Sequence, residues 1–320
     1  MRINKLSIVI PVYYNEGELL PLYSDLKEKT LDKLNCDYEI VMVDDGSKDN
    51  SYFEMCSLAK IDPKIKLLKL SRNFGEHAAT LAGLAKCTGD CAVRKAADLQ
   101  EPSELILDLI EKYEEGHNIV LANREGRDEP ITQKCFSSIY NCLMRKFALE
   151  NMPKGGFDSY LIDRQVIDLI VSMNEKNTPV TEQILWCGFD PVSVGYIRQK
   201  RKIGKSHWTL SKKIKLSLDS MLGFSYVPIR FIFGIGILSF LCSLIWIFVV
   251  FIFKLLGKID VDGYTSIVML LLLSFGIIML SLGILGEYVW RMFDAIRNRP
   301  PYIINKKPQN LENQNIKNKD

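Results

Sequence analysis

The chain has 320 residues, 48% of them hydrophobic and 25% charged, which suits one large domain or two small ones. Its 41 Lys and Arg nearly balance its 38 Asp and Glu, so net charge points to no acidic or basic partner and to no nucleic acid. Eight cysteines without a C-x-x-C pair, with only three histidines, argue against a zinc site and for reduced thiols. Cys87 and Cys91 are close in sequence, at a spacing that fits one helix face as easily as a ligand pair.

From the N-terminus, LSIVIPV is too short for a targeting segment and ends in proline. SIVIPVY (7–13) is instead a continuous β-branched run, as expected for a strand buried on both faces. EGELLPLYSDLKEKT follows with helical spacing, and YEIVMVDDGS (38–47) is a second apolar strand ending in carboxylates. KIKLLKLS (64–71) is a third strand, EHAATLAGLAKCT an Ala-rich helix, and DCAVRKAADL (90–99) a fourth strand. EPSELILDLIEKY places a proline in the first turn of another helix, and NIVLAN is a further apolar strand. Strands alternating with helices predict an α/β fold with a parallel sheet, in which ligands gather outside the carboxyl ends of the strands.

Between Asp190 and Asp219 there is no acidic residue, whereas Arg198, Lys200, Arg201, Lys202, Lys205, Lys212, Lys213 and Lys215 all fall there. The lysines at 212–215 alternate with apolar residues, which predicts an interfacial amphipathic segment at 209–229. Phe231 to Phe253 and Tyr264 to Gly286 then carry no charge. Each exceeds the ~20 residues a helix needs to cross a bilayer, so two transmembrane helices are expected, about 231–253 and 265–289 within a 230–290 membrane domain. Arg291, Arg297, Arg299, Lys306 and Lys307 follow, which puts the 291–320 tail and the 1–208 domain on the cytoplasmic side of the inner membrane. The end beyond Pro308 is expected to be disordered.

Polar groups cluster at the expected strand ends. Asn15 and Glu16 follow the first, and Asn15 could cap the next helix. Asp44 and Asp45 end the second; two adjacent carboxylates there are costly unless donors or cations meet them, and nucleoside hydroxyls and a ring N–H are such donors. Gly46 permits a tight turn, and Ser47 or Asp49 can cap the following helix. Arg72 follows the third strand, where a base or phosphate could meet it. Asp98 and Gln100 follow the fourth, and two local readings stand equal: ligands of a hard divalent ion, or a cap for the helix beginning near Pro102.

The succession SIVIPVYYNE, EIVMVDDGSKDNS, LSRNFGEHAA, AADLQEPSE, GGFDSYLIDR and RKIGKSHW before two apolar spans resembles family 2 glycosyltransferases. More narrowly it resembles the polyisoprenyl-phosphate glycosyltransferases, the dolichyl-phosphate mannose synthase and GtrB-like group, over about residues 6–304. The resemblance implies a GT-A, Rossmann-like catalytic domain. In it Pro11, Tyr13, Glu16, Asp45, Ser47 and Arg72 would hold the nucleoside of a nucleotide-sugar donor, with Asp98 on its diphosphate side. Asp98 and Gln100 would bind Mg²⁺ or Mn²⁺. Arg124 and Arg127 would clamp the phosphate of a polyprenyl-phosphate acceptor. Asp158 would orient sugar or acceptor, or cap a helix from Tyr160, and Arg164 shares that ambiguity. Arg201 and Lys205 would close over the phosphates.

Relatives usually read Asp-Ala-Asp-Leu-Gln where this chain has Ala96-Ala97-Asp98-Leu99-Gln100, so one expected carboxylate is missing. The activity implied is inverting transfer of one sugar, from a UDP-sugar for preference, to undecaprenyl phosphate at the membrane for cell-envelope glycans. A homo-oligomer is compatible with it. The alternative is a catalytically impaired nucleotide-sugar-binding scaffold, with Ala96 as its motive. A processive polysaccharide synthase would need a Gln-x-x-Arg-Trp element, and the nearest string, Gln183 to Trp186, lacks the arginine. A two-span transporter is disfavoured because the spans hold no charge or broken helix to line a path.

Overall fold

The computed structural model describes residues 2–124, 145, 151–153, 156–175, 178–199, 263–297 and 299–306, with single positions between 235 and 256. It divides into two units, Met1–Gly223 with Pro300–Asp320, and Phe224–Arg299.

The first unit is built on strands β1 (Lys5–Val12), β2 (Asp37–Asp44), β3 (Ile65–Lys69), β4 (Cys91–Arg94), β5 (Ile119–Arg124), β6 (Phe157–Asp163) and β7 (Pro191–Tyr196). Between them lie helices α1 (Leu19–Lys29), α2 (Ser51–Ile61), α3 (Glu76–Leu84), α4 (Leu105–Glu114), α5 (Arg164–Met173) and α6 (Val180–Trp186). The sheet order is β3-β2-β1-β4-β6-β5-β7. All neighbours are parallel except β6, which is antiparallel to both β4 and β5.

The central strand explains the two-faced burial expected from SIVIPVY. Leu6, Ile8, Ile10 and Val12 join one core with Leu22 and Leu26 of α1, Met55 and Leu58 of α2, and Leu105 and Leu109 of α4. Each such side chain contributes about 1.5–3 kcal/mol on full burial. On the other face α3 crosses closely: a Cβ at Gly83 would lie 2.4 Å from Val9 Cγ1, so the approach requires glycine.

Three expectations need correction. The sheet is mixed rather than parallel, because FDSYLID forms β6 instead of opening a helix at Tyr160. Its residues 159–162 are buried, and it is wedged between two strands where only an extended chain completes both ladders. The helix starts at Arg164 and is capped by Asp163, whose Oδ1 accepts the Gln165 N–H at 2.8 Å. The strand DCAVRKAADL ends at Arg94: Lys95 N–H still bonds Val9 O at 2.9 Å, but Ala96 N–H turns to the Glu101 carboxylate. The next helix starts at Leu105, beyond Pro102.

The β3 edge is covered by the chain's own later segment. Ile304 pairs antiparallel with Leu70, Ser71 N–H donates to Ile303 O at 2.9 Å, and Asn305 N–H donates to Lys69 O at 2.8 Å. Covering an edge protects it from pairing with other chains. Asn305→Pro removes the Lys69 bond and is expected to lower unfolding free energy by about 1–3 kcal/mol, read by denaturant melting of the full chain.

In the second unit, α7 (Tyr264–Ile296) has 33 residues, about 50 Å at ~1.5 Å per residue. Its Ser274–Ile296 stretch is long and apolar enough to cross a membrane, and Phe275, Leu282 and Trp290 on it are exposed. The helix continues past residue 289, where the sequence reading ended the span. The 209–229 segment, most of 231–253, and the tail beyond Lys306 lie outside the described residues.

Candidate active site

Topology brings most of the described candidate residues to one edge of the sheet. β1, β2, β3, β4, β5 and β7 all deliver their carboxyl ends there, and antiparallel β6 delivers its start. The order reverses between β1 and β4, a switch point where the loops diverge and leave a crevice.

The β1 and β2 loops are tied together. Ser47 Oγ accepts the Tyr14 N–H at 3.1 Å, and Ser51 Oγ accepts the Asn15 N–H at 2.9 Å. Tyr14 has a positive φ of 54° and packs edge-on against the Tyr13 ring, 4.6 Å between centroids. Asn15 does not cap α1, whose cap position is Glu18; its Oδ1 accepts the Tyr13 N–H at 2.9 Å. Glu16 is exposed and accepts from the Asn50 backbone and side-chain amides. Asp49 accepts from both Ser51 N–H and Oγ–H, so of the two expected caps for α2 it is Asp49 that binds there. Pro11 is half-buried in β1, opposite Val43.

The two carboxylates at the β2 end are buried and play different parts. Asp44 accepts the Ser47 N–H at 2.9 Å, and its other oxygen lies 3.9 Å from Lys69 Nζ. Asp45 accepts the Phe74 and Gly75 N–H groups at 2.7 and 2.9 Å, fixing the loop that carries Arg72. Arg72 itself lies over the Phe74 ring at 4.2 Å. Gly46, at φ +74°, sits where a Cβ would come within 2.5 Å of the Arg72 carbonyl carbon, so the β2 and β3 loops meet only over glycine.

Burial pushes the Asp45 carboxyl up to about 6, against the pull of the two backbone N–H donors. The folded value exceeds the unfolded ~3.9. Ionising Asp45 therefore costs the folded state stability as pH rises through about 6. A nucleoside donor group would offset that cost. Donor affinity is thus expected to rise up to about tenfold per pH unit below that value and level off above it, and Asp45→Asn to flatten the profile, as titration calorimetry across pH would read.

Beyond β4 the chain loops through Leu99, at φ 56°, with Asp98 seven residues before α4. Asp98 therefore does not cap that helix. Its Oδ1 accepts the Gln100 N–H at 3.3 Å. The loop is organised from beneath by Glu101, whose side chain is buried. Its carboxylate accepts from Ala96 N–H at 3.0 Å, Ser159 Oγ–H at 2.7 Å and Arg94 at 3.2 Å. Lys95 Nζ donates to the Glu101 carbonyl, and Arg94 also pairs with Glu76. Burial raises the Glu101 carboxyl, but Arg94 and Lys95 outweigh it and hold the group below the usual range.

The sequence reading did not single out Glu101, Arg94, Lys95 or Ser159 as site residues. The available signal was two basic residues closing an otherwise apolar strand, with a glutamate a few residues on. Neighbouring Gln100 is also engaged: its Oε1 accepts from Arg198, and its backbone O accepts the Gln199 N–H at 2.9 Å.

Arg124, closing β5, forms an ion pair with Asp158 at the start of β6, the Arg124 side chain being 11% and Asp158 45% exposed. These two are thus brought together, whereas Arg127, Arg201 and Lys205 lie outside the described residues. Arg164 is placed elsewhere. It donates to Gly89 O at the opposite edge and pairs with Asp168, so it braces the entry to β4 rather than the site. Cys87 and Cys91 are buried thiols, Cys87 closing on Leu84 O, and do not form a ligand pair. Gln183 is buried and bonds Thr178 O, a packing role.

Among the described residues no group of three or more His, Cys, Asp and Glu is placed to hold a metal. Asp98 with the Gln100 amide oxygen is a sparse set of hard oxygen donors. That set fits Mg²⁺ or Mn²⁺, which keep several waters and take further ligands from a substrate diphosphate.

A family model described as glycosyl transferase family 2 matches residues 7–162. An uncharacterized glycosyltransferase of Bacillus subtilis is 36% identical, covering 97% of this chain and 96% of its own. A prophage-derived bactoprenol glucosyl transferase of Shigella flexneri is 33% identical over 94% of this chain and 98% of its own. An undecaprenyl-phosphate 4-deoxy-4-formamido-L-arabinose transferase of Proteus mirabilis is 31% identical over 95% and 94%.

Proposed function

The chain belongs to glycosyl transferase family 2, and from that premise we propose that it moves one sugar from a nucleotide-sugar, a UDP-sugar for preference, to undecaprenyl phosphate with inversion. It is a glycosyltransferase, and its mixed sheet is the GT-A form of the Rossmann-like fold. The observation that carries the reading is the gathering of Asp45, Asp98 and the Arg124–Asp158 pair at one sheet edge. Relatives that align over nearly their full length and are named for bactoprenol or undecaprenyl phosphate supply the acceptor class.

An acceptor phosphate oxygen attacks the anomeric carbon as the bond to the nucleoside diphosphate breaks on the opposite face. The acceptor is already ionised near neutral pH, so this chain need supply no strong base. Its work is positioning and charge stabilisation. Pro11, Tyr13, Glu16, Asp45, Ser47 and Arg72 hold the nucleoside. Arg124, oriented by Asp158, holds the acceptor phosphate, with Arg127, Arg201 and Lys205 completing the charge around both phosphates. Asp98 and Gln100 would hold Mg²⁺ or Mn²⁺, which neutralises charge on the departing diphosphate.

The membrane belongs to the same proposal. A GT-A domain at 1–208, an interfacial segment at 209–229, spans at about 231–253 and 265–289 and a cytoplasmic tail at 291–320 would hold the site against the inner face of the cytoplasmic membrane. That placement suits an acceptor headgroup confined to the bilayer plane. The long apolar α7, with exposed side chains, supports it.

The test is transfer of labelled sugar from a panel of UDP- and GDP-sugars to undecaprenyl phosphate, with product mass. A labelled lipid phosphosugar is expected. Donor binding without any labelled lipid would instead favour an inactive scaffold, the reading that Ala96 invites.

A further inference from the structure

Arg198 lies just past β7, outside the residues assigned above to the donor, the ion or the acceptor. Its guanidinium donates to Gln100 Oε1 and lies 4.0 Å from Asp98 Oδ2, so it bridges the two oxygen donors assigned to the ion. The contact is built in on both sides. Gln199 N–H donates to Gln100 O at 2.9 Å, and Gln100 Nε2 to Gln199 O at 3.4 Å, which zips the strand exit onto the Asp98 loop. At 34% exposure the Arg198 side chain is reachable by solvent, and that of Asp98, at 12%, is largely covered. Position 96 is an alanine, so no carboxylate there offsets the guanidinium charge.

We infer that Arg198 competes with the divalent cation for Asp98 and Gln100, holding the ligand pair when no donor is present and yielding it when an ion arrives with a diphosphate. The inference rests on the proposed site. A hard cation needs the Gln100 oxygen as a ligand, and a guanidinium already bonded to that oxygen stands within a few ångströms of the ion's position and repels it. The fixed positive charge beside Asp98 also repels a dication directly. The ion alone therefore binds weakly. The diphosphate, which supplies both ligands for the ion and a new anionic partner for the guanidinium, tips the exchange.

The measurement is Mn²⁺ binding to the purified full-length protein in detergent, without nucleotide, from loss of the free-ion paramagnetic resonance signal. Arg198→Met removes both charge and donors, and is expected to tighten Mn²⁺ binding by about fivefold or more. Arg198→Lys keeps the charge and stays near the wild-type affinity, while Asp98→Ala abolishes binding in either background. If Arg198→Met binds Mn²⁺ no tighter while Asp98→Ala still abolishes binding, the competition is overturned and the site stands. If Mn²⁺ binding ignores Asp98→Ala, the ion site itself is misplaced and the competition falls with it. The labelled-sugar assay reports on the enzyme reading separately.

Discussion

Asp98→Ala is expected to cut sugar transfer at saturating donor by about a thousandfold, or roughly 4 kcal/mol of transition-state stabilisation. Asp98 is the single carboxylate of the proposed donor set, and Ala96 leaves no aspartate beside it to compensate. The fold should survive, because the Asp98 bond to the Gln100 N–H lies in a surface loop and loss of one such bond costs about 1 kcal/mol. The diagnostic is therefore a kcat loss with an almost unchanged melting temperature. Wild-type turnover should collapse in chelator and return with Mg²⁺ or Mn²⁺, while the residual activity of the variant stays indifferent to both. Full activity of the variant, or of the wild type in chelator, would remove the metal from the mechanism.

Glu101→Gln should act on stability and ion use together. The Glu101 carboxylate is the hub between Arg94, the Ala96 amide and the Ser159 hydroxyl, and it lies directly beneath the loop bearing Asp98. Neutralising it leaves the buried Arg94 guanidinium with Glu76 as its remaining carboxylate among the described residues. Breaking a buried pair from one side typically costs about 3–5 kcal/mol; the retained Glu76 partner places the expected loss at the lower end. Ser159→Ala removes one hydrogen bond from the same hub and is expected to lose only about 1 kcal/mol.

Because Glu101 touches no reacting atom, it is a positioning residue. Its signature is an apparent Mn²⁺ activation constant raised about tenfold, with kcat at saturating ion reduced much less. A Glu101→Gln protein as stable as wild type, with unchanged ion activation, would reduce the hub to packing.

Two further features concern each unit by itself, an edge pairing in the first and a long apolar helix in the second. The first is a packing matter: residues 303–305 finish the β3 edge, so the segment following α7 contributes to the sheet that carries the site. The second is a solvent matter: α7 presents Phe275, Leu282 and Trp290 outward, which only an apolar medium or partner would cover.

Much of this was legible in the sequence because it depends on local pattern. The β-branched runs SIVIPVY and YEIVMV specify strands buried on both faces whatever surrounds them. The short links force crossover helices, and so Asp45, Arg72 and the Asp98 loop had to emerge near one edge. The uncharged run from Tyr264 specified a long helix for the same reason. What tertiary structure decided depends on partners far apart in the chain. FDSYLID became β6 because β4 and β5 left an extended slot between them, which no local propensity records. KAADL stopped being a strand at Arg94, where the Ala96 amide turns to Glu101, and Asp98 caps no helix because the next one begins only at Leu105. Arg198 reached Gln100 across 98 positions of sequence. Periodicity encodes which face of an element is buried, but not which buried charge will meet which, since that pairing exists only once the sheet has closed.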